Sequence, residues 1–290
     1  YDVAFLWLIS YQQEGAVTKL KYIEANYKKY HQILDSKFIK KLCKKGCFES
    51  HMWEMILCDV FSFSGILIPK SEAGADFLVQ TKNNDQISIE ATAPNESDDP
   101  FLRSVRPDYT DNNFFELSGN SEDLERAVLL RVFDKGILAK SKKYKKDKPL
   151  IIAINSHKTV GLISRDNYIL RRLLFGLGSE TISLNSDGSY RHGLQLNPCL
   201  NKPKGESFPV ALFRNQDFAH ISGIIYTSQN PLGLVPGDFG WTNYGVTYVP
   251  NPIAINKTNI NFPFFRTIKC TNELYEEIEA EEEFKSNLIY

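Results

Sequence analysis

The chain has 290 residues, of which 42% are hydrophobic, so it can bury a substantial core in one large domain or two modest ones. Its 34 Lys and Arg residues are balanced by 35 Asp and Glu residues. This balance excludes the strong global positive field that is typical of avid nucleic-acid binders. Nucleic-acid binding would therefore require a local basic patch, or an oligomer that builds one.

The apolar runs and the cysteines indicate a cytoplasmic protein with no membrane span. No apolar run reaches the roughly 18 residues needed to cross a bilayer. The run from Val3 to Ile9 is short and has no basic flank, so we do not expect a signal peptide. Five cysteines are an odd number in a chain of this length, which favours reduced thiols. They lack the paired spacing of a zinc site.

The N-terminal part of the chain shows helical periodicity followed by strand periodicity. Residues 16–45 are rich in lysine and predict two helices that break near Asp35 and Ser36. Residues 48–61 have an apolar face at i, i+3 and i+4 spacing and predict a further helix. Three short strands should follow, with the last two forming a hairpin, at residues 66–68, 75–80 and 86–91.

The middle of the chain predicts a long loop and then alternating helices and strands. Residues 94–120 are polar and turn-rich, which is typical of a functional or mobile loop. A helix with a basic end is expected over residues 121–145, and another over 165–175. Residues 149–154 and 220–227 are apolar runs typical of strands covered on both faces.

The rest of the chain is turn-rich and gives little periodicity. Residues 179–207 are rich in Gly, Asn, Ser and Pro, and irregular structure is expected beyond residue 229. The acidic segment 273–283 predicts a solvated helix or a frayed end. We therefore predict an α/β fold with an N-terminal helical extension, a central core and an irregular C-terminal extension packed on that core, divided as 1–45, 46–227 and 228–290.

Three carboxylates occupy definite positions in this order of elements. Glu54 lies on the helix before the strands, Asp76 opens the second strand, and Glu90 ends the third. A hairpin would place Asp76 and Glu90 near one end of the sheet, with Glu54 reaching over from the packed helix. Such an oxygen-rich site suits Mg²⁺, with Mn²⁺ as a substitute. The metal would activate water and neutralise phosphate charge, which favours phosphodiester hydrolysis.

The same segments resemble the PD-(D/E)xK nuclease superfamily. The resemblance lies in Trp53-Glu54, in the segment GADFLV ending at Val79, in the segment ISIEAT ending at Thr92, and in the following basic helix and PLIIAIN strand. It implies a restriction-endonuclease-like mixed sheet flanked by helices. It also implies a Mg²⁺-dependent DNA endonuclease of restriction or defence, in which Asp76 and Glu90 bind the metal and Glu54 completes the shell.

Two residues depart from the pattern of that superfamily. Ala75 replaces a proline, which matters little, but Thr92 replaces the lysine that orients or activates the attacking water. A lysine from the next helix can substitute in such proteins, and Lys135 is the candidate by position because it shares a helical face with Arg131. Lys82 in the hairpin turn is a weaker choice.

The lysine cluster at the end of the basic helix has two interpretations. Such a cluster is commonly a solvated helix end, but here it could also contact DNA phosphates, through Lys142, Lys143, Lys145 and Lys146. The carboxylates also have plain alternatives: Glu54 as a solvated edge residue and Asp76 as a turn residue. Glu90 is harder to explain in this way because charge at a buried strand end is costly.

Three functions thus remain open from the sequence. The first is a DNA endonuclease, with a homodimer as a possible assembly. The second is a catalytically inactive member of the fold that binds nucleic acid or protein. The third, less favoured, is an unrelated α/β enzyme with its site in residues 94–120, where no nucleophile supports it.

Overall fold

The computed structural model of the chain describes residues 3–10, 14–69, 74–81, 83–94, 121–142, 147–160, 166–202, 205–235, 245–263, 265–270 and 275–278. The α-helices in this part of the chain are α1 (Val3–Ser10), α2 (Glu14–Tyr30), α3 (Phe38–Leu42), α4 (Phe48–Ser64), α5 (Ser121–Arg131), α6 (Ala139–Ser141), α7 (His157–Val160), α8 (Asp166–Phe175) and α9 (Pro231–Leu234). A π-helix, Val132–Leu138, joins α5 to α6, and two 3₁₀ turns span Leu212–Arg214 and Gln216–Phe218.

The strands form one large mixed sheet and two small hairpins. They are β1 (Ile66–Ile68), β2 (Phe77–Gln80), β3 (Gln86–Thr92), β4 (Leu150–Asn155), β5 (Leu177–Leu184), β6 (Tyr190–Leu196), β7 (Cys199–Asn201), β8 (Ser207–Pro209), β9 (Gly223–Thr227), β10 (Thr247–Pro250), β11 (Arg266–Cys270) and β12 (Tyr275–Ile278). Eight of them make the large sheet in the order β1-β2-β3-β4-β9-β10-β11-β12, while β5 pairs with β6 and β7 with β8.

The large sheet is mixed: β3–β4, β4–β9 and β10–β11 pair in parallel, and the other neighbouring strands pair antiparallel. Strands β3, β4 and β9 run parallel to one another, so their carboxyl ends lie at one edge of the sheet. Strand β2 runs antiparallel to β3 and pairs Phe77 with Ile89, which confirms the expected hairpin. The turn places Asn84 at a φ of 64°, a left-handed conformation that asparagine tolerates well. The start of β2 therefore meets the end of β3.

Helices cover both faces of this sheet and divide the core in two. One apolar cluster joins α2, α3 and α4 to alternate residues of the central strands, including Ile89, Ala91, Ile151 and Ala153. The other joins α5, the π-helix and α8 to the intervening residues, including Ile152 and Ile154. Every residue of β4 is buried, as expected for a strand covered on both faces. The chain is thus a mixed α/β protein with helices on both sides of the sheet.

The structure corrects the expected helix over residues 121–145. Regular α-helix ends at Arg131, and a π-helix with i→i+5 hydrogen bonding follows to Leu138. Gly136 lies in this π-helix, and a Cβ added there would come 3.3 Å from the Cδ1 atom of Ile154. The missing side chain thus allows the π-helix to lie close against β4. Its wider turn changes which later residues face the sheet.

The expectation of irregular structure beyond residue 229 is wrong, and the turn-rich segment 179–207 also forms strands. Residues 179–207 contain most of the β5–β6 hairpin and strand β7, and β8 begins at the end of this segment. The C-terminal part, 228–290, supplies β10, β11 and β12 to the large sheet, and the acidic segment includes strand β12 rather than a helix. The predicted loop at residues 95–120 lies outside the described residues. Within the described helices, none is both long enough and apolar enough to span a bilayer.

Candidate active site at the end of the β2–β3 hairpin

Two carboxylates extend the β2–β3 ladder beyond its last backbone pair. The backbone N–H of Asp76 donates to Glu90 Oε1 at 3.1 Å, and the backbone N–H of Ala91 donates to Asp76 Oδ2 at 3.0 Å. Each carboxylate therefore accepts a hydrogen bond from a backbone N–H of the opposite strand, at a position beyond the last backbone pair of the ladder. This exchange fixes both carboxylates at the strand ends, so the structure brings together Asp76 and Glu90 as the sequence predicted.

The strand period directs Glu90 toward the π-helix. Its neighbours Ile89 and Ala91 face the core on the α4 side, and side chains alternate along a strand. Glu90 therefore points to the opposite face, next to Ile152, which is its register partner on β4. The Glu90 side chain is only 3% exposed. A carboxylate buried to this extent is costly unless a cation or several donors compensate its charge.

Lys140 supplies that compensating charge. Its Nζ lies 2.7 Å from Glu90 Oε2 and 3.5 Å from Asp76 Oδ2, so one ammonium group contacts both carboxylates. Burial lowers the pKa of Lys140, but the charges and hydrogen bonds of Asp76 and Glu90 outweigh this effect and raise its pKa above the ordinary value. Lys140 is therefore an ammonium ion held between the two acids.

Lys140, and not Lys135, is the lysine that contacts the two carboxylates. The side chain of Lys135 is exposed, and within the described part of the chain it makes no ion pair with either carboxylate. Its carbonyl oxygen accepts a hydrogen bond of 3.5 Å from the Thr92 hydroxyl. Lys140 lies five residues later, in α6, after the π-helix has ended at Leu138. The structure thus places Lys140 beside the two carboxylates, whereas the sequence had indicated Lys135 as the candidate lysine from this helix.

Glu54 approaches the same region from the other face of the sheet. Helix α4 is held to β4 by a hydrogen bond of 3.2 Å from the indole N–H of Trp53 to the carbonyl of Ala153. The next residue, Glu54, is half-buried and close enough to Lys41 to raise the pKa of that lysine. The hydrogen bond that Lys41 donates to Asp35 makes the largest contribution to this raised pKa, and the charge of Asp76 also contributes. Glu54 and Asp76 therefore share a cationic neighbour.

His51, one helical turn before Glu54, also lies in the electrostatic environment of the site. Burial lowers its pKa, and the positive charge of Lys41 lowers it further, against the opposing effects of a hydrogen bond to the Cys47 carbonyl and of the Asp76 charge. His51 is therefore neutral at physiological pH. It adds no cation beside the carboxylates.

Comparison of the chain with protein-family models, curated proteins and solved structures finds no match. Functional conclusions therefore depend on the chemistry of this site.

The donor set at the hairpin end consists of the carboxylates of Asp76 and Glu90. Among the described residues, no three His, Cys, Asp or Glu side chains are grouped closely enough to form a protein-only metal site. Mg²⁺ does not require such a group, because it commonly binds one or two carboxylates and completes its octahedron with water and substrate phosphate oxygens. Asp76 and Glu90 meet this smaller requirement.

The predicted phosphate-binding lysines are only partly described. Lys142 is exposed at the end of α6, close in sequence to Lys140. Lys143, Lys145, Lys146 and Lys82 lie outside the described residues. The sequence missed Lys140 because it is the first of a run of lysines that resembles an ordinary solvated helix end. The signal that could have distinguished Lys140 from the other lysines of this run is its position opposite the end of β3.

Proposed function

We propose that this chain is a Mg²⁺-dependent phosphodiester hydrolase, an endonuclease that acts on DNA with a restriction-endonuclease-like core. One observation carries the proposal: Asp76 and Glu90 are held by reciprocal backbone hydrogen bonds at a strand end, and a single lysine contacts both. This combines oxygen ligands for a hard cation with a fixed positive charge for a phosphate. Restriction or defence is the role that we expect for such an enzyme.

Asp76 and Glu90 would hold the metal, and Glu54 is the further carboxylate that could contact it through water. When bound, Mg²⁺ would lower the pKa of a bound water and neutralise charge on the scissile phosphate. The backbone donors of Asp76 and Ala91 keep the two carboxylates oriented before any ligand arrives. This preorganisation reduces the cost of assembling the site around a cation.

Lys140 would take the role for which the neutral hydroxyl of Thr92 is unsuited. Its ammonium group can donate to water or to a phosphate oxygen and can offset negative charge that develops during hydrolysis. Glu90 and Thr92 project from the same face of β3, because they are separated by one strand period. Lys140 contacts the carboxylates on that face. The charge at the site is thus kept although the strand itself carries no lysine.

The test is cleavage of supercoiled and linear DNA with Mg²⁺ or Mn²⁺. Asp76→Asn, Glu90→Gln and Lys140→Met should each reduce the cleavage rate by at least about 100-fold, the lower range for loss of a charge-stabilising group. A matched control is the exposed ion pair of Lys202 and Glu206, whose atoms lie 3.2 Å apart. Lys202→Met and Glu206→Gln should cleave like the wild type. Intact DNA with all metals and substrates would refute the proposal.

A specific observation also favours the second function, a catalytically inactive binding module. The Lys140 ammonium contacts both carboxylates and offsets part of their negative charge, as in a purely structural ion pair. Calorimetric titration with Mn²⁺ separates the two functions. A catalytic site should bind the metal with an affinity that Asp76→Asn abolishes, whereas a structural ion pair should give no Asp76-dependent heat. The homodimer and the cytoplasmic location stay predictions under either function.

A further inference from the structure

A second basic surface lies on α3 and the turn that follows it. Its exposed lysines are Lys37, Lys40, Lys44 and Lys45. Lys41, between them, pairs with Asp35 at 2.8 Å, and Asp35 is the only acidic residue between positions 35 and 45. Since the whole chain has a net charge of −1, this segment is a local concentration of positive charge. We call these four exposed lysines the α3 lysine surface.

Two contacts place the α3 lysine surface at the carboxyl edge of the parallel strands. Lys158 follows the end of β4 by three residues, and its Nζ contacts the carbonyl oxygen of Gly46 at 3.4 Å and Glu49 at 3.0 Å. The turn that carries Lys44 and Lys45 therefore lies beside the end of β4. Because β4 is the neighbour of β3, this is the edge at which Glu90 lies.

A third contact places α3 beside the helix that carries Glu54. The rings of Phe38 on α3 and His51 on α4 meet edge to face, with centroids 5.5 Å apart. Lys41 lies one turn after Phe38, and Glu54 lies one turn after His51. The charges of Glu54 and Asp76 both reach Lys41, as its raised pKa indicates after the larger effect of Asp35. The lysine surface thus borders the carboxylate site.

We propose that the α3 lysine surface binds the sugar-phosphate backbone of a nucleic acid and leads it to Asp76 and Glu90. This inference deepens the proposed function by naming a substrate-binding surface. Lysines act as flexible point charges that suit phosphate contacts without reading bases. The segment therefore supplies sequence-independent affinity and the local basic patch that a near-neutral chain requires. Its position beside two carboxylates favours a nucleic acid over an anionic membrane.

The test measures binding separately from hydrolysis. The full chain is titrated in EDTA against a short fluorescein-labelled DNA duplex and the matching single strand, at several salt concentrations. In the variant Lys40→Gln, Lys44→Gln, Lys45→Gln, the slope of log affinity against log salt should fall by about 0.9 for each duplex phosphate that a lysine no longer neutralises, and so by about 2.7 for three. With the single strand the slope should fall less, by about 0.7 for each such phosphate.

The matched control removes the same charge elsewhere. Lys202→Gln, Lys257→Gln, Lys269→Gln alters a more distant part of the chain, with Lys269 on β11, four strands from β3. Its salt slope should stay within about 0.5 of the wild type, since these three lysines neutralise no phosphate of the bound DNA. An equal fall in slope for both triple variants would overturn the inference. The single variant Lys44→Gln, with its smaller expected effect, replaces the triple variant if thermal unfolding shows that the triple variant does not fold.

The outcomes separate this inference from the proposed hydrolysis. If the wild type cleaves DNA and the salt slope of the α3 triple variant is unchanged, the inference about the α3 lysine surface is overturned, whereas the proposed hydrolysis is not. A reduced slope without any cleavage would support the surface and favour the binding module. Absence of wild-type binding to both DNA probes, or stronger binding to phosphatidylserine vesicles than to DNA, would overturn the inference.

Discussion

Replacement of Lys140 by methionine tests whether its ammonium holds the carboxylate site together. Methionine keeps much of the length of the side chain but removes the charge that lies 2.7 Å from Glu90 and 3.5 Å from Asp76. Loss of one partner from a fully buried ion pair costs about 3 to 5 kcal/mol. Lys140 is 20% exposed and Asp76 is 23% exposed, so water replaces part of the lost interaction. We therefore expect a loss of about 2 to 3 kcal/mol.

Urea denaturation in EDTA measures this loss in free energy of unfolding. Since Glu90 is only 3% exposed, the added change Glu90→Gln should recover part of the loss by removing the buried charge. The double-mutant cycle should give a coupling energy of about 1 to 3 kcal/mol between the two side chains. Mg²⁺ should then stabilise Lys140→Met more than the wild type, because the ammonium no longer competes with the metal for Glu90 Oε2.

Two results would refute this reasoning. If the free energy of unfolding of Lys140→Met lies within about 0.5 kcal/mol of the wild-type value, the ammonium makes no net contribution to stability and the pair is an ordinary surface contact. If the double-mutant cycle shows no coupling, Lys140 acts on stability through something other than Glu90. The control Lys202→Met removes an exposed partner of Glu206 and should change the free energy of unfolding by less than about 1 kcal/mol.

Three further predictions concern the surroundings of the site. Trp53→Phe should lower the free energy of unfolding, measured by urea denaturation, by about 1 to 3 kcal/mol, because it removes the indole donor of the Ala153 carbonyl and shrinks a buried side chain. An unchanged free energy of unfolding would contradict the anchoring of α4 to β4. The pKa of His51 is lowered in the folded protein, so the stability that its neutral side chain contributes is present above the unfolded-state pKa of 6.5 and is lost as the pH falls below that value. His51→Gln should flatten the pH dependence of the melting temperature in that range, and an identical slope would contradict this. Ile182→Ser on β5 should change stability by less than about 0.5 kcal/mol because Ile182 is 65% exposed, unless a bound partner covers the β5–β6 hairpin.

Local patterns in the sequence predicted the part of the site that lies on strands. Apolar residues alternate through β3, and the chain reverses at a turn with Asn84, so the hairpin and the meeting of Asp76 with Glu90 follow from residues close in sequence. The reciprocal hydrogen bonds are a direct consequence of that register. The mixed α/β class was predictable for the same reason, since each element carries its own period.

The helical side of the site could not be predicted because a π-helix leaves no distinct pattern in the sequence. The apolar residues of 121–138 fit an α-helix, and that period pointed to Lys135 as the lysine beside the strand. Packing of Gly136 against Ile154 is a tertiary effect, and it accompanies the change to i→i+5 hydrogen bonding. Lys140 follows this π-helix, in α6, and contacts the two carboxylates.

The C-terminal strands were missed because their stability comes from partners that are distant in sequence. Strand β10 has four residues between turn-rich segments, and it gains its place by pairing with β9 and β11. Its side chains are buried only in that context, where Tyr248 packs edge to face on Phe262 at 4.9 Å. Short strands of this kind have little local signal, because β-propensity mainly measures packing against neighbours.

Thr92 and the ion pair of Lys140 belong to one arrangement at the end of β3. Thr92 and Glu90 project from the same face of β3, and that face lies against the π-helix. A lysine at position 92 would bring its ammonium to this face from the strand, whereas Lys140 brings it from the helix. The Thr92 hydroxyl instead contacts the Lys135 carbonyl and so links the strand end to the π-helix that positions Lys140. The site therefore combines two carboxylates with one ammonium, and the presence of that ammonium is why Thr92 alone does not argue against the proposed phosphodiester hydrolysis.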